Sequence, residues 1–495
     1  MMTNNLSLLK NLTNINFLSA FIVALIVLSV SCYGDSTVQA IPKTLDTQID
    51  TLISKTTPDA FTGIMLTDAE TGRLLYQKNA HQYFLPASII KLFTAAAALY
   101  RLKPDYKYAT AIYVDKDTPL QTLFKGNFYI KFSGDPSLTR ENLEVMIKEI
   151  SVLGIKKITG NIVLDQTIFP VMPYPQGINL DDIQWGFGAP VTSVIINRNS
   201  VPITINPDKT LDKPVKVAIA GKDANHFVVK SSVKTVTASQ ANEQCTFNVT
   251  MSDTNKTEVN GCWPINFNEY KRIAIKNPVL FATQIIRDTL KKQNIELNGN
   301  IVTGTTPDKQ KIIVGHLSKP VNLLIRHMLH FSDNMYANAI LKTLGYLDYR
   351  KGDFFSGIQS LKRILSKHTD INFQLTRLFD GAGLSNYNKI TPYQINQLLY
   401  AAYHSKQIKT DFLNAMATPG ANGTLQQRMH AIGLKDNLFA KTGSMKGVQT
   451  LAGYLKVSDG KTVIFSLMTN NCIDHNDTVK KVEDQLLSII QSVSY

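Results

Sequence analysis

The chain is short of cysteine, of long apolar runs and of clustered charge, and each shortage removes a class of protein. Only four cysteines occur in 495 residues. None stands with histidines at a zinc-ligand spacing, so neither a structural metal nor any other cofactor is expected. The net charge is +14, yet no run of five basic residues occurs. Scattered Lys and Arg lack the basic stripe of a nucleic-acid binder. They suit instead peripheral contact with an acidic polymer or an anionic lipid surface. Glutamate is absent between Glu296 and Glu483, a gap that matters below. What is present is ordinary for a globular protein: 44% hydrophobic and 18% charged residues exclude wholesale disorder. The length calls for two to four domains.

The longest apolar run, Phe17 to Val30, has 14 residues, short of the ~20 that span a bilayer. It follows a polar lead containing Lys10 and precedes small residues, with Val38-Gln39-Ala40 as a cleavage site. Residues 1–40 therefore read as a secretory signal peptide. A second reading takes Cys32, after Leu28-Ser29-Val30-Ser31, as a lipid-attachment cysteine, and a third an uncleaved anchor. All three put the mature chain outside the cytoplasm, where Cys245 and Cys262 could pair and Cys472 would stay free and buried.

In chain order, Ile41–Lys55 has helical spacing. Residues 61–68 and 73–77 form a hairpin across Ala69-Glu70-Thr71-Gly72. A helix over Pro86–Leu99 follows, with almost no polar face, as befits a buried one. Short strands (109–114, 128–132, 162–164) then surround one helix over 141–153. Residues 201–276 are strand-rich with little helical periodicity, and a helix returns over 278–293. The last third alternates helices (321–330, 336–344, 391–403) with strands (450–457, 463–469) and ends on an amphipathic helix. This texture predicts an α+β fold. One discontinuous domain (41–98 and 312–495) carries an inserted α+β domain (99–200 and 288–311), which itself holds a nested β-rich domain (201–287).

Ser88 and Lys91 stand three apart on the buried helix. They read either as a nucleophile with its base or as a helix start with a snorkelling lysine. Ser-x-x-Lys alone does not decide, because it also starts at Ser7, Ser231 and Ser458. Two other motifs each occur once: Ser332-Asp333-Asn334, after a helix, and Lys441-Thr442-Gly443, in a strand. Ser-x-x-Lys, Ser-x-Asn and Lys-Thr-Gly in this order are together the motif set of β-lactamases and penicillin-binding proteins.

Ser88 and Ser332 lie 244 positions apart, too far for a compact β-lactamase. The chain thus resembles the class C low-molecular-mass penicillin-binding proteins, the D-alanyl-D-alanine carboxypeptidase/endopeptidases, which carry extra domains at this point. Phe132-Ser133-Gly134-Asp135-Pro136-Ser137-Leu138, Gly160–Asp165 and Asp380-Gly381-Ala382-Gly383-Leu384-Ser385 are similar to theirs. The resemblance implies a transpeptidase-like fold, a peptidoglycan stem-peptide substrate in the periplasm or cell-wall space, and covalent inhibition by β-lactams. Ser88 would be acylated after Lys91, made neutral by burial and by the cation Lys441, takes its proton. Ser332 would pass a proton to the leaving amine, and Asn334 would orient Lys91 and hold a substrate amide. Lys441 and Thr442 would bind the terminal carboxylate. Backbone N–H groups of Ser88 and Ser444, beside Gly443, would form the oxyanion hole.

Asp182-Ile183-Gln184-Trp185-Gly186-Phe187 resembles the family's recognition segment, so Asp182 and Phe187 would bind the amino end of a diaminopimelyl side chain. Two positions depart from the pattern. Asn386 stands where some members have Arg, and Lys446 follows Lys-Thr-Gly in the pocket-lining position. The missing glutamate removes the deacylating base of class A β-lactamases, so a β-lactam should acylate Ser88 and stay. The competing readings are a non-catalytic wall-binding or β-lactam-sensing protein, a β-lactamase, and a triad built on His81 or His330.

Overall fold

Strands from the two ends of the chain meet in one sheet. The computed structural model describes residues 44–169, 172–243, 245–421, 423–429, 434–472 and 476–492. The signal-peptide reading, its cleavage site and Cys32 lie outside the described residues. Thr44 caps α1 (Leu45–Thr56) through its side chain. The hairpin β1 (Phe61–Asp68) and β2 (Leu74–Lys78) follows, its turn held by the Asp68 carboxylate accepting from Glu70 N and Thr71 N. After a 3-10 turn over Ala87–Ile90 comes α2 (Lys91–Leu102).

The part of the chain begun by this hairpin resumes with α3 (Val321–Phe331), α4 (Asn334–Tyr349), α5 (Phe354–Leu365), α6 (Pro392–His404), β3 (Leu438–Met445), β4 (Val448–Lys456), β5 (Thr462–Asn470) and α7 (Asn476–Ser492). The sheet runs β3-β4-β5-β1-β2 and is antiparallel throughout, with Ile64 opposite Leu467 and Lys441 opposite Ala452. Strands β4 and β5 are buried on both faces, which is why they read as continuous apolar runs rather than alternating ones. One face packs on α1 and α7. The other packs on the helical core around α2, whose residues are all buried except Arg101. Its four successive alanines present so little bulk that α3, α4 and α5 all pack against it.

Between α2 and α3 the chain builds a second five-stranded sheet, in the order 301–304, 162–165, 128–131, 109–115, 310–317. The helices Arg140–Val152 and Pro278–Lys292 pack in its core. Residues 200–274 form three small sheets, and Cys245 is disulfide-bonded to Cys262. Cys472 is free and buried. The whole chain is therefore α+β, with one sheet assembled across the insertion.

Four expected boundaries fall inside elements. The cut at 98/99 divides α2, and that at 311/312 divides strand Gln310–Leu317, which pairs with 109–115 from end to end. The cut at 287/288 divides helix Pro278–Lys292, and that at 200/201 divides strand Ser200–Asn206. The nested residues Val201, Val249 and Val259 share one core with the inserted sheet, so no composition break marks the border. Among the described residues no helix is long and apolar enough to cross a membrane.

Candidate active site

Ser88 is fixed by its approach. Leu85 N donates to Asn470 Oδ1 at 2.8 Å, and Thr450 Oγ1 donates to Pro86 O at 2.9 Å, tying the segment to β5 and β4. Ala87 then adopts φ +46°, a left-handed conformation costly for a residue with a Cβ. Ser88 thus lies in a 3-10 turn, and the α-helix expected from Pro86 begins only at Lys91. A Cβ on Gly443 would sit 2.2 Å from Thr450 Oγ1 and 2.9 Å from Ser88 N. The glycine of Lys-Thr-Gly is what lets β3 approach Ser88.

Lys91 is fully buried. Its Nζ lies 2.8 Å from Ser88 Oγ, 2.7 Å from Asn334 Oδ1 and 2.7 Å from Ala382 O. Burial pulls the amine down to about 7, against the upward pull of Asp380 and Asp333. A neutral amine has two donors and one lone pair. The carbonyls of Asn334 and Ala382 can only accept, so the lone pair is left for the Ser88 O–H. In the neutral form of the amine, these partners therefore orient the Ser88 O–H toward Lys91 Nζ.

Lys441, also fully buried, donates to Ser332 Oγ at 2.9 Å and to Thr442 O at 2.5 Å. Burial first, and Lys91 second, push its amine well below the usual lysine value. The sequence reading makes Lys441 the cation that depresses Lys91; in the structure burial is the main cause at both amines, and the repulsion is felt at Lys441. Ser332 is left-handed (φ +57°) at the end of α3, and Asp333 caps α4 by accepting from Met335 N and Tyr336 N. A helix end and a helix start two residues apart place Ser332 and Asn334 side by side. Burial raises the Asp333 carboxyl, but His327 and Arg198 overcome it and hold the group below its ordinary value.

On β3, Ala440 N donates to Ala417 O, away from β4. Strand parity sends the Thr442 and Ser444 N–H groups the same way, so the Ser444 N–H faces the open edge beside Ser88. Thr442 Oγ1 donates to Thr424 Oγ1 at 2.8 Å, and Gln449 Nε2 donates to Ser444 Oγ at 2.6 Å.

Ser88, Lys91, Ser332, Asn334, Lys441, Thr442, Gly443 and Ser444 thus converge from one turn, one loop and one strand. Phe187 reaches them from the insertion: its carbonyl accepts from Asn334 Nδ2 at 3.0 Å while its ring is half exposed. Asp182 and Lys446 lie outside this hydrogen-bonded group. Asp182 accepts from Asn179 Nδ2 at 3.1 Å, and Asn386 Nδ2 donates to Asn179 Oδ1 at 2.7 Å. Asn386 therefore joins the insertion to the 380–385 loop. Lys446 is exposed in the turn between β3 and β4. His81 packs at a tilt against the Tyr393 ring, and His330 is buried within α3; it is Lys91 that holds Ser88 Oγ. Sequence reasoning missed the Ala382 and Phe187 carbonyls and the Arg198–Asp333 pair (3.1 Å). Backbone acceptors leave no residue-type signal, and Arg198 lies 135 positions from its partner. Among the described residues no group of three or more His, Cys, Asp or Glu could hold a metal ion.

Residues 45–493 match the D-Ala-D-Ala carboxypeptidase 3 (S13) family. The D-alanyl-D-alanine carboxypeptidase DacB of Haemophilus influenzae is 28% identical over 436 residues, 87% of this chain and 90% of that protein. The D-alanyl-D-alanine carboxypeptidase of Actinomadura sp. (strain R39) is 24% identical, over 83% of this chain and 78% of that one. The crystal structure of penicillin binding protein 4 (dacB) from Haemophilus influenzae superposes with a TM-score of 0.82 at 27% identity, covering 90% of this chain and 99% of that one. The same protein complexed with a novel β-lactam gives 0.76 over the same shares.

Proposed function

The chain belongs to the D-Ala-D-Ala carboxypeptidase 3 (S13) family and is a serine-type D,D-carboxypeptidase, and we propose that its acyl intermediate forms on Ser88. The observation that carries the assignment is the three-partner arrangement around Lys91 Nζ, which leaves its lone pair for the Ser88 O–H. Ser88 Oγ attacks the carbonyl carbon of the penultimate D-alanine as its proton passes to Lys91. The carbonyl oxygen takes the negative charge beside the N–H groups of Ser88 and Ser444. Collapse breaks the C–N bond, and the proton returns through Ser332, oriented by Lys441, to the leaving amine. Water then adds to the ester, freeing Ser88 and the shortened stem peptide. Thr442 and Lys441 receive the terminal carboxylate.

The substrate is a peptidoglycan stem peptide, and the same steps open a D-Ala–diaminopimelate cross-link, with Asp182 and Phe187 on the amino end of the diaminopimelyl side chain of the stem that acylates Ser88. β-Lactams acylate Ser88 and remain, because no glutamate lies between the second and third motifs to activate a deacylating water. Residues 1–40 direct the chain across the inner membrane to the periplasm or cell-wall space.

Fluorescent penicillin should label the wild type and leave Ser88→Ala unlabelled. Digestion of isolated muropeptides should release D-alanine with the wild type alone. Equal labelling of both proteins would end the assignment of Ser88.

A further inference from the structure

A cleft of about 440 Å³ opens directly off Ser332, Asp333 and Asn334, and the steps above make no use of its walls beyond Ser332, Asn334 and Phe187. Phe331 and the Phe187 ring line its mouth, and both are half exposed. Its far wall is cationic: Arg198, Lys271 and Arg272 face one carboxylate, Asp333, which is only 8% exposed and already paired with Arg198 at 3.1 Å.

These cations are held in place from behind. The two tryptophans of the chain both flank Lys271, with its Nζ 5.9 Å from the Trp185 ring centre and 5.7 Å from that of Trp263. Such contacts fix the direction of an ammonium group without neutralising it. Arg272 donates from Nε to Ser200 Oγ at 2.9 Å and from Nη2 to the carbonyls of Asn197 and Ser200. Among the described residues these bonds use Nε and Nη2, and none of them uses Nη1. Three cations with one carboxylate among them leave an excess of positive charge at the wall of a half-enclosed, low-dielectric space, where an anion is bound more strongly than on an open surface.

The position of Ser332 says which part of a substrate lies there. When the acyl bond forms on Ser88, the departing nitrogen takes its proton at Ser332, so whatever is attached to that nitrogen extends away from Ser88 past Ser332. Free D-alanine is small enough to end at Thr442. The leaving group of a cross-link is an entire second stem peptide, which carries the carboxylates of diaminopimelate and D-glutamate. We propose that this cleft is the leaving-strand subsite for cross-linked peptidoglycan, with Arg198, Lys271 and Arg272 receiving carboxylates of the departing stem. The proposal rests on the endopeptidase reading above and adds the residues that favour a cross-linked over a monomeric substrate. The bonds made and broken are unchanged: the Ser88 Oγ–C bond forms, the C–N bond breaks, and the proton lost by Ser88 ends on the departing nitrogen.

Lys271→Glu is the informative variant, because Lys271 makes no contact with the Ser88 group and reversing its charge opposes a departing carboxylate. Three rates are compared in wild type and variant: acylation by fluorescent penicillin, D-alanine release from monomeric pentapeptide, and cleavage of a D-Ala–diaminopimelate dimer. The expected result is a KM for the dimer raised by more than about 10-fold relative to that for the monomer, the loss of one charge-assisted contact with the repulsion of the new carboxylate added to it. A dimer with amidated carboxylates should show no such difference between the two proteins. Equal loss on monomer and dimer, or an unchanged ratio, overturns the subsite. Wild type that labels with penicillin yet leaves the dimer intact overturns it as well. Wild type that fails to label overturns the Ser88 reading itself. Lys271→Met serves as a fold control: it should give a smaller shift of the same ratio, and a normal ratio with Met beside an abnormal one with Glu would assign the effect to new repulsion and overturn the proposal.

Discussion

At the residue scale, the site depends on two buried amines. Lys91 must be neutral to accept a proton, and burial has brought it down to about 7. Below that value the amine is charged and its lone pair is filled. Acylation should therefore rise about tenfold per pH unit up to about pH 7 and level off above it. Stopped-flow acylation by penicillin from pH 5 to 9 measures this, and a flat profile would show that Lys91 is not the base. The left-handed residues belong to the same logic. Ala87 and Ser332, at φ +46° and +57°, bring Ser88 and Ser332 out of the runs of their helices. Strain of this kind persists only where surrounding bonds over-determine it, and here Thr450 holds Pro86 while Asp333 starts a new helix at the next residue.

At the scale of elements, the insertion is docked on α4 by a third buried lysine. Lys342 Nζ donates to Val191 O at 2.8 Å and to Met172 O at 3.2 Å, and lies over the rings of Phe169 and Phe354. Burial pulls its amine down to about 7, with Asp353 pulling up. Between about pH 7 and the ordinary lysine value the unfolded chain binds one more proton at this position than the folded chain does. Stability therefore increases with pH across that window, by about 1.4 kcal/mol per unit for each such lysine. Urea unfolding at pH 7, 8 and 9 should show a slope about that much smaller in Lys342→Met than in wild type. Equal slopes would mean that Lys342 stays charged when folded. The sequence already displays most of these elements, because burial leaves a periodic trace: the apolar run 92–99 marks α2, and the continuous runs after Thr450 and Val463 mark β4 and β5. It does not display Lys342 as a tether, since its partners are carbonyls at Met172 and Val191. Nor does it display the border at 312, because strand 310–317 is defined by a partner some 200 residues earlier. The three motifs are legible for the opposite reason. Each is a short covalent unit whose geometry is local, whereas Arg198, Lys271 and Arg272 meet Ser332 through folding alone.

At the scale of the whole molecule, the catalytic sheet and the disulfide belong to different parts. The sheet joins β1 to β5 over some 400 residues of sequence, so it forms only once both ends of the chain have come together. The Cys245–Cys262 bridge closes a separation of 17 residues inside the nested region, whose Val249, Val259 and Trp263 share the core of the insertion, not that of the sheet. In a loop of that size a disulfide contributes about 3 kcal/mol, chiefly by restricting the unfolded chain. Removing it should therefore loosen residues 228–264 while leaving Ser88, Lys91 and Ser332 in place. In the double variant Cys245→Ser/Cys262→Ser, hydrogen exchange should accelerate in strands 228–231, 248–251 and 256–260. The rate of penicillin acylation should stay within about twofold of wild type, since sites with no shared partners act independently. Loss of acylation together with faster exchange in β3, β4 and β5 would show that the two parts unfold as one unit. The expected split would show that the nested region varies without touching the chemistry, which makes it the place where the surface around the leaving strand can change while the three motifs stay fixed.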